Sequence, residues 1–112
     1  MDISNRYEGG IPVLVLSGRL NQGTADALHS AAMEAADQAG KGLIVDMGGV
    51  DFIASVGIRA LIRPSQSLAM KGGKLAIANL TPQMSEFFGT TGLDQMFSVY
   101  DTVTDAAAGI AS

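Results

Sequence analysis

The sequence predicts an α/β fold: a mixed, mostly parallel sheet of about five strands with about four helices, in the order ββαβαβαβα. Two observations support this prediction. Short apolar runs that suit strands alternate with longer segments whose apolar residues recur at helical spacing, and glycines separate many of these segments. Because a helix between parallel strands makes a right-handed crossover, the strands after the first pair are expected to run parallel.

The beginning of the chain predicts a β-hairpin. Residues 3–8 and the apolar run at residues 11–16 flank the pair Gly9-Gly10, which is typical of a tight hairpin turn. Pro12 stands near the start of the second run, where a missing amide donor is tolerated. The hairpin is therefore expected to add one antiparallel strand at an edge of the sheet.

A helix and a buried strand are expected next. Helical spacing after residue 24 predicts a helix that Thr24 caps and that Gly40 and Gly42 close. The residues expected to face the core are Leu28, Ala32, Ala35, Ala36 and Ala39. A strand at residues 43–46 then ends in Asp46, and its continuous apolar run is typical of a strand covered on both faces.

The second helix is predicted over residues 56–70, before Gly72-Gly73. Its buried stripe is expected to consist of Ile58, Leu61, Ile62, Ser65, Leu68 and Ala69. Pro64 lies inside this helix and removes the hydrogen bond to the carbonyl of Ala60. We therefore expect a bend or a short irregular turn at this point, and interpret it as a kink that curves the helix around the sheet.

The last third of the chain is predicted to add two strands and two helices. A buried strand covers residues 74–78, and Thr81-Pro82 supplies a capping hydroxyl and a proline for a helix that runs to about Gly89. A short strand covers residues 97–100. Thr102, with Asp105 three residues later, then opens an Ala-rich final helix.

The composition limits the possible functions. The 112 residues are expected to form one domain, residues 1–112, and they include no Cys and one His. These counts argue against disulfides, a thiolate nucleophile and a metal site built on Cys or His. The net charge of −4 argues against direct nucleic-acid binding. Without a signal-peptide core or an apolar run of about 18 to 20 residues, a cytoplasmic protein with no membrane association is expected.

The sequence also lacks the motifs of common enzymes. The phosphate-binding pattern G-x-x-x-x-G-K-[ST] fails at both Gly-Lys pairs, and neither G-x-G-x-x-G after a strand nor G-x-S-x-G occurs. His29 has no evident partner for general-base catalysis and is expected on the surface of the first helix. We therefore expect no enzymatic activity, no catalytic residue, no cofactor and no bound metal.

The candidate site lies between residues 43 and 61. A strand delivers Asp46 at its carboxyl end, a loop follows, and Ser55 stands where the next helix begins. Sites in open α/β sheets gather at such strand ends, and the positive end of a helix favours an attached phosphate. Gly57 would let the backbone of a partner come close. The same spacing also fits a Ser55 that merely caps the helix.

This stretch resembles the signature of STAS domains. In that signature, a strand ending in Asp and a short hydrophobic loop precede D-S-[ST]-G or S-S-A-G; here the corresponding residues 53–59 read IASVGIR. The similarity continues through residues 71–75, 80–82 and 91–97 and covers nearly the whole chain. It implies a STAS-type fold with the order of elements derived above.

The anti-sigma factor antagonist branch of that family implies a specific function. In that branch, the serine that matches Ser55 is phosphorylated by a partner anti-sigma factor that is itself a serine kinase. The resemblance implies that the unphosphorylated chain binds this kinase, that phosphorylation of Ser55 releases it, and that a PP2C-type phosphatase resets the switch. The residues expected to bind the partner are Asp46, Ala54, Ser55, Val56, Gly57 and Arg59.

Two residues depart from the family pattern. Ala54 replaces the acidic residue of many antagonists, and Val56 replaces the hydroxyl residue that follows the serine. Both changes bear on how a kinase would recognise the site. Arg59 and Arg63 lie one turn apart on the second helix, where they either meet acidic groups of a partner or form a solvated polar face.

Two other functions compete with this interpretation, the first of them also a binding module. A STAS subunit of a lipid-transport ABC complex would dock on an ATPase without being phosphorylated. A small α/β enzyme is disfavoured because no catalytic constellation is evident. Phosphate transfer to Ser55 distinguishes the switch from both alternatives.

Overall fold

The computed structural model describes residues 2–38, 40 and 42–111. The strands are β1 (Asp2–Glu8), β2 (Ile11–Leu20), β3 (Gly42–Ile53), β4 (Lys74–Ala78) and β5 (Ser98–Tyr100). The helices are α1 (Gln22–Gln38), α2 (Ser55–Met70), α3 (Pro82–Thr91), α4 (Leu93–Met96) and α5 (Val103–Ala111). The predicted α/β class and the number and order of its strands are confirmed. The short helix α4 was not predicted; it follows Gly92, whose left-handed backbone (φ 77°) ends α3.

The five strands form one sheet in the order β1-β2-β3-β4-β5. β1 pairs with β2 antiparallel at the edge, and the remaining neighbours pair in parallel, as predicted. Gly9 and Gly10 both have positive φ, at 57° and 83°, which a two-residue hairpin turn with the twist of the strands requires. The hairpin thus places β1 outside the parallel part of the sheet.

Two apolar clusters cover the two faces of the sheet. The larger one joins α1, α2, α3 and α4 to the sheet, and the smaller one joins α5 to the opposite face. Side chains alternate between them along β3: Leu43, Val45 and Met47 belong to the larger cluster, whereas Ile44 belongs to the smaller one. This two-sided coverage explains why the start of β3 reads as a continuous apolar run.

The predicted end of β3 at residue 46 is wrong. The strand continues to Ile53, and β2 continues to Leu20, because residues 49–53 pair with residues 17–20 in a two-stranded extension of the sheet. The pair Gly48-Gly49 lies in the middle of β3, but two adjacent glycines are more typical of a loop, so the sequence predicted a loop here. A Cβ added at Gly49 would lie 2.9 Å from the Leu16 carbonyl oxygen, so this glycine permits the close approach of the two strands.

The helix caps confirm two predictions and correct one. Thr81 accepts from the Met84 amide at 3.2 Å, and Thr102 accepts from the Asp105 amide at 3.0 Å. At α1, however, Asn21 is the capping residue, because its Oδ1 accepts from the Gly23 amide at 2.9 Å. Thr24 acts from inside the helix instead, where its Oγ1 accepts from the Asn21 amide at 2.9 Å.

The buried faces of the first two helices differ in part from the prediction. α1 buries Leu28, Ala32 and Ala36 as expected and Ala25 in addition; Ala35 is half-buried, and Ala39 lies outside the described residues. The buried residues of α2 are Gly57, Ala60, Leu61, Pro64 and Leu68. Ser65 is only half-buried and Ala69 is exposed, whereas Pro64 is buried. Helix α2 continues through Pro64 to Met70.

Candidate functional site

Ser55 is the first residue of α2, directly beyond the end of β3, and its side chain is exposed. The preceding Ala54 has extended backbone (φ −94°, ψ 162°). Its amide donates to the Leu20 carbonyl at 2.8 Å, so the last residue of β2 holds the entry into α2. The strand ends and the helix start therefore position Ser55 through backbone contacts.

Ser55 does not cap α2. Ala54 occupies the capping position, and its carbonyl accepts from the amides of Gly57 (2.9 Å) and Ile58 (3.2 Å). Ala54 has no side-chain acceptor, so no side chain caps this helix. Within the described part of the chain, the Ser55 hydroxyl forms no hydrogen bond. The alternative in which Ser55 serves only as a cap is therefore wrong.

Gly57 is buried rather than open to a partner. A Cβ added there would overlap the side chain of Leu20, which is itself fully buried. The absence of a side chain brings the first turn of α2 against the end of β2. This corrects the expectation that Gly57 admits a partner's backbone, since its space is already filled from inside the protein.

Asp46 is held by two hydrogen bonds. Its Oδ1 accepts from the Gly48 amide at 2.9 Å and from Asn79 Nδ2 at 3.1 Å. Asn79 follows β4 and has left-handed backbone (φ 64°), a conformation that Asn tolerates better than most residues. The carboxylate thus joins β3 to the residue that ends β4.

The structure does not place Asp46 beside Ser55. Asp46 pairs with Val15 and Ile53 pairs with Leu20, so the two pairs lie five residue steps apart along β2, or roughly 16 Å. The expected loop between Asp46 and the helix is a strand, and its extended backbone separates the two residues. Ala54 and Val56 are half-buried next to Ser55, whereas Arg59 is exposed one turn further along α2.

Sequence reasoning missed a contact between Arg19 and Phe52. These residues face each other across β2 and β3, and the Arg19 guanidinium carbon lies 4.3 Å from the centre of the Phe52 ring. The Phe52 side chain remains 37% exposed. Recognising residues 47–53 as strand would not by itself have revealed the pair, because the β2–β3 register shifts between Val15 and Ser17 and again between Gly18 and Arg19.

The described residues contain neither a candidate metal site nor a candidate membrane-spanning helix. No group of three His, Cys, Asp or Glu side chains in residues 2–38, 40 and 42–111 could hold a metal ion. Nor is any helix in these ranges long and apolar enough to cross a membrane. His29 is half-buried, not simply on the surface, and its Nδ1 lies 3.3 Å from the Ala60 carbonyl oxygen, where it links α1 to α2.

Known proteins with the same fold include anti-sigma factor antagonists. The anti-sigma-F factor antagonist RsfB of Mycobacterium tuberculosis is 30% identical over 90% of this chain and 82% of its own length. A crystal structure of an anti-sigma factor antagonist from Mycobacterium paratuberculosis superposes with a TM-score of 0.85 at 28% identity, covering 99% of this chain and 94% of that one.

One of the solved structures with a similar fold is that of a phosphorylated protein. The Bacillus cell fate determinant SpoIIAA in its phosphorylated form superposes with a TM-score of 0.69 over 97% of this chain and 99% of that one. At 19% identity, this likeness shows the fold alone. The sequence model of the STAS domain matches residues 2–106 of this chain. With nearly its whole length matched, the chain belongs to the STAS domain family.

Proposed function

We propose that this chain is a non-enzymatic anti-sigma factor antagonist that works by partner switching. It binds a serine-kinase anti-sigma factor while Ser55 is unmodified, and phosphorylation of Ser55 releases it. The observation that supports this best is the exposed Ser55 hydroxyl, free of hydrogen bonds in the described residues, at the start of α2. A cytoplasmic location, with no direct contact to nucleic acid or membrane, belongs to the same proposal.

The chemistry takes place on the chain but is catalysed by its partners. Ser55 Oγ attacks the γ-phosphorus of ATP held by the kinase, a new O–P bond forms, and the bond to the β,γ-bridging oxygen breaks to release ADP. The hydroxyl proton passes to a base of the kinase. A PP2C-type phosphatase reverses the state by directing water onto the phosphate ester, which regenerates Ser55 and inorganic phosphate.

Phosphorylation can block docking without unfolding the site. It adds about −1.5 to −2 charges at an exposed position. The unpaired amides and the positive end of α2 favour that charge, so the helix start does not need to rearrange. A partner surface that fits the bare hydroxyl must then accommodate a bulky dianion. The switch acts at the contact surface.

The proposed docking surface centres on the start of α2. Ala54 and Val56 lie beside Ser55, and Arg59 follows on the exposed side of the helix. Gly57 contributes indirectly, because its packing on Leu20 sets the position of the first turn. Asp46 lies roughly 16 Å from Ile53 at the end of β3, which still fits within a footprint of about 800 Å² per partner.

Mass spectrometry after incubation with the candidate kinase and ATP tests the proposal. Phosphate should be found on Ser55 and not on Ser85, an exposed serine of α3 that serves as an internal control. Ser55→Ala should bind the kinase and remain unmodified, whereas Ser55→Asp should bind more weakly than the native chain. If Ser55 stays unmodified and Ser55→Asp binds the kinase as well as the native chain does, the partner-switching proposal is contradicted. Stable binding to a transporter ATPase instead would favour the lipid-transport function.

A further inference from the structure

Ser55 and Arg59 stand one helical turn apart on the same exposed side of α2. Both side chains are exposed, while Gly57 and Ala60 point into the core. Residues four apart on a helix are surface neighbours, with Cβ atoms about 5 to 6 Å apart. A group attached to Ser55 Oγ therefore lies within reach of the long Arg59 side chain.

Among the residues that the structure describes, Arg59 has no ionic partner. The one ion pair in the described ranges joins Arg6 to Glu8 within β1, and neither Arg59 nor Arg63 takes part in another. Helix α2 contains these two arginines and no Asp or Glu, although the whole chain carries a net charge of −4. The arginines thus form an isolated positive strip that begins beside Ser55.

We infer that Arg59 exchanges ionic partners when Ser55 is phosphorylated. In the unmodified chain, Arg59 pairs with a carboxylate on the docked protein partner; in the modified chain, it pairs with the phosphate on Ser55. This inference rests on the proposed function and adds a second effect to the phosphate: besides introducing negative charge, it withdraws a positive charge from the docking surface.

The order and chemistry of the two groups favour this exchange. An acidic group four residues before a basic one is the better orientation for a pair on a helix. The planar guanidinium can also donate two parallel hydrogen bonds to phosphate oxygens. Arg63 provides the contrast, because it lies eight residues from Ser55, or about 12 Å along the helix axis. Arg63 should stay available to the partner in both states.

Phosphorus NMR on the full chain with phosphoserine incorporated genetically at position 55 tests the exchange without any kinase. If Arg59 stabilises the dianion, Arg59→Gln should raise the second titration midpoint of the phosphate by about 0.3 pH units. Arg63→Gln is the matched control on the same helix and should leave the midpoint unchanged. No shift in Arg59→Gln, or equal shifts in both variants, would overturn the inference.

Binding to the candidate kinase tests the other half of the exchange. Arg59→Gln should weaken binding of the unmodified chain by about 5-fold, and phosphorylation should then reduce affinity by a smaller factor than in the native chain. Equal factors in both backgrounds would contradict the exchange. If the kinase neither binds nor modifies Ser55, the proposed function fails, while the NMR titration still decides whether Arg59 pairs with the phosphate.

Discussion

The side chain of Leu20, at the end of β2, occupies the space that a Cβ at Gly57 would need in the first turn of α2. The Leu20 carbonyl also accepts from the Ala54 amide at 2.8 Å. One strand residue thus fixes the helix start by packing and by hydrogen bonding, and Ser55 lies between these two contacts.

Substitution of Gly57 should destabilise the fold through this contact. Gly57→Ala forces a methyl group against the buried Leu20 side chain, and we expect a loss of about 1 to 3 kcal/mol in the free energy of unfolding, measured by urea denaturation. Gly89→Ala is the matched control, because Gly89 lies in α3 and the nearest atom to an added Cβ, Asp94 Oδ2, is 4.0 Å away. That variant should gain about 0.5 to 1 kcal/mol from the better helix propensity of Ala. Equal effects of both changes would contradict the packing role of Gly57.

Asn79 allows a comparison of backbone strain with hydrogen bonding. Both Asn79→Ala and Asn79→Gly remove the hydrogen bond to Asp46, but the left-handed backbone at φ 64° carries a steric cost only for Ala. We expect Asn79→Ala to be less stable than Asn79→Gly by about 1 kcal/mol in chemical denaturation. If Ala were as stable as Gly, the left-handed conformation at this position would be in doubt.

The contact between Arg19 and Phe52 should be measurable as a coupling energy. We expect a double-mutant cycle with Arg19→Ala and Phe52→Ala to give about 0.5 to 1 kcal/mol of interaction, since the pair is exposed to solvent. The readout is thermal or urea unfolding of the four proteins. Strict additivity of the two single changes would show that the ring and the guanidinium do not interact in solution.

Introducing a side-chain cap at the start of α2 should raise the free energy of unfolding. Ala54→Asn supplies an acceptor for the first amides and should stabilise the chain by about 1 kcal/mol. Ala54→Asp should stabilise at least as much, because its charge also interacts with the positive helix end. Unfolding free energies of the two variants separate the hydrogen bond from the charge effect. Loss of stability in both would contradict the assignment of Ala54 as the capping position.

The sequence predicted those parts of the fold that depend only on residues adjacent in the chain. The Gly9-Gly10 turn, the caps at Thr81 and Thr102 and the strand at Lys74–Ala78 are all confirmed, because turn and cap chemistry depend on adjacent residues. The cap of α1 was assigned to Thr24 instead of Asn21 because both side chains can accept from an amide.

Features that depend on distant residues were not predictable. Gly48-Gly49 suggested a loop, and only the pairing of residues 17–20 with residues 49–53 shows that β3 continues. The role of Gly57 depends on Leu20, which stands 37 positions earlier in the chain. The position of Ser55 was predicted well because a helix start is a local feature, whereas its separation from Asp46 depends on the length of β3.

The capping geometry at Ala54 depends on backbone groups, so the side chain that precedes Ser55 can vary. The Ala54 backbone, not its side chain, secures the start of α2, through its amide to Leu20 and its carbonyl to the first turn. The residue before Ser55 can therefore be exchanged with a change in stability of only about 1 kcal/mol. Under the proposed function, copies of this domain in one cell can thus acquire different side chains beside the serine, and so different kinase partners, while the scaffold that presents the serine stays the same.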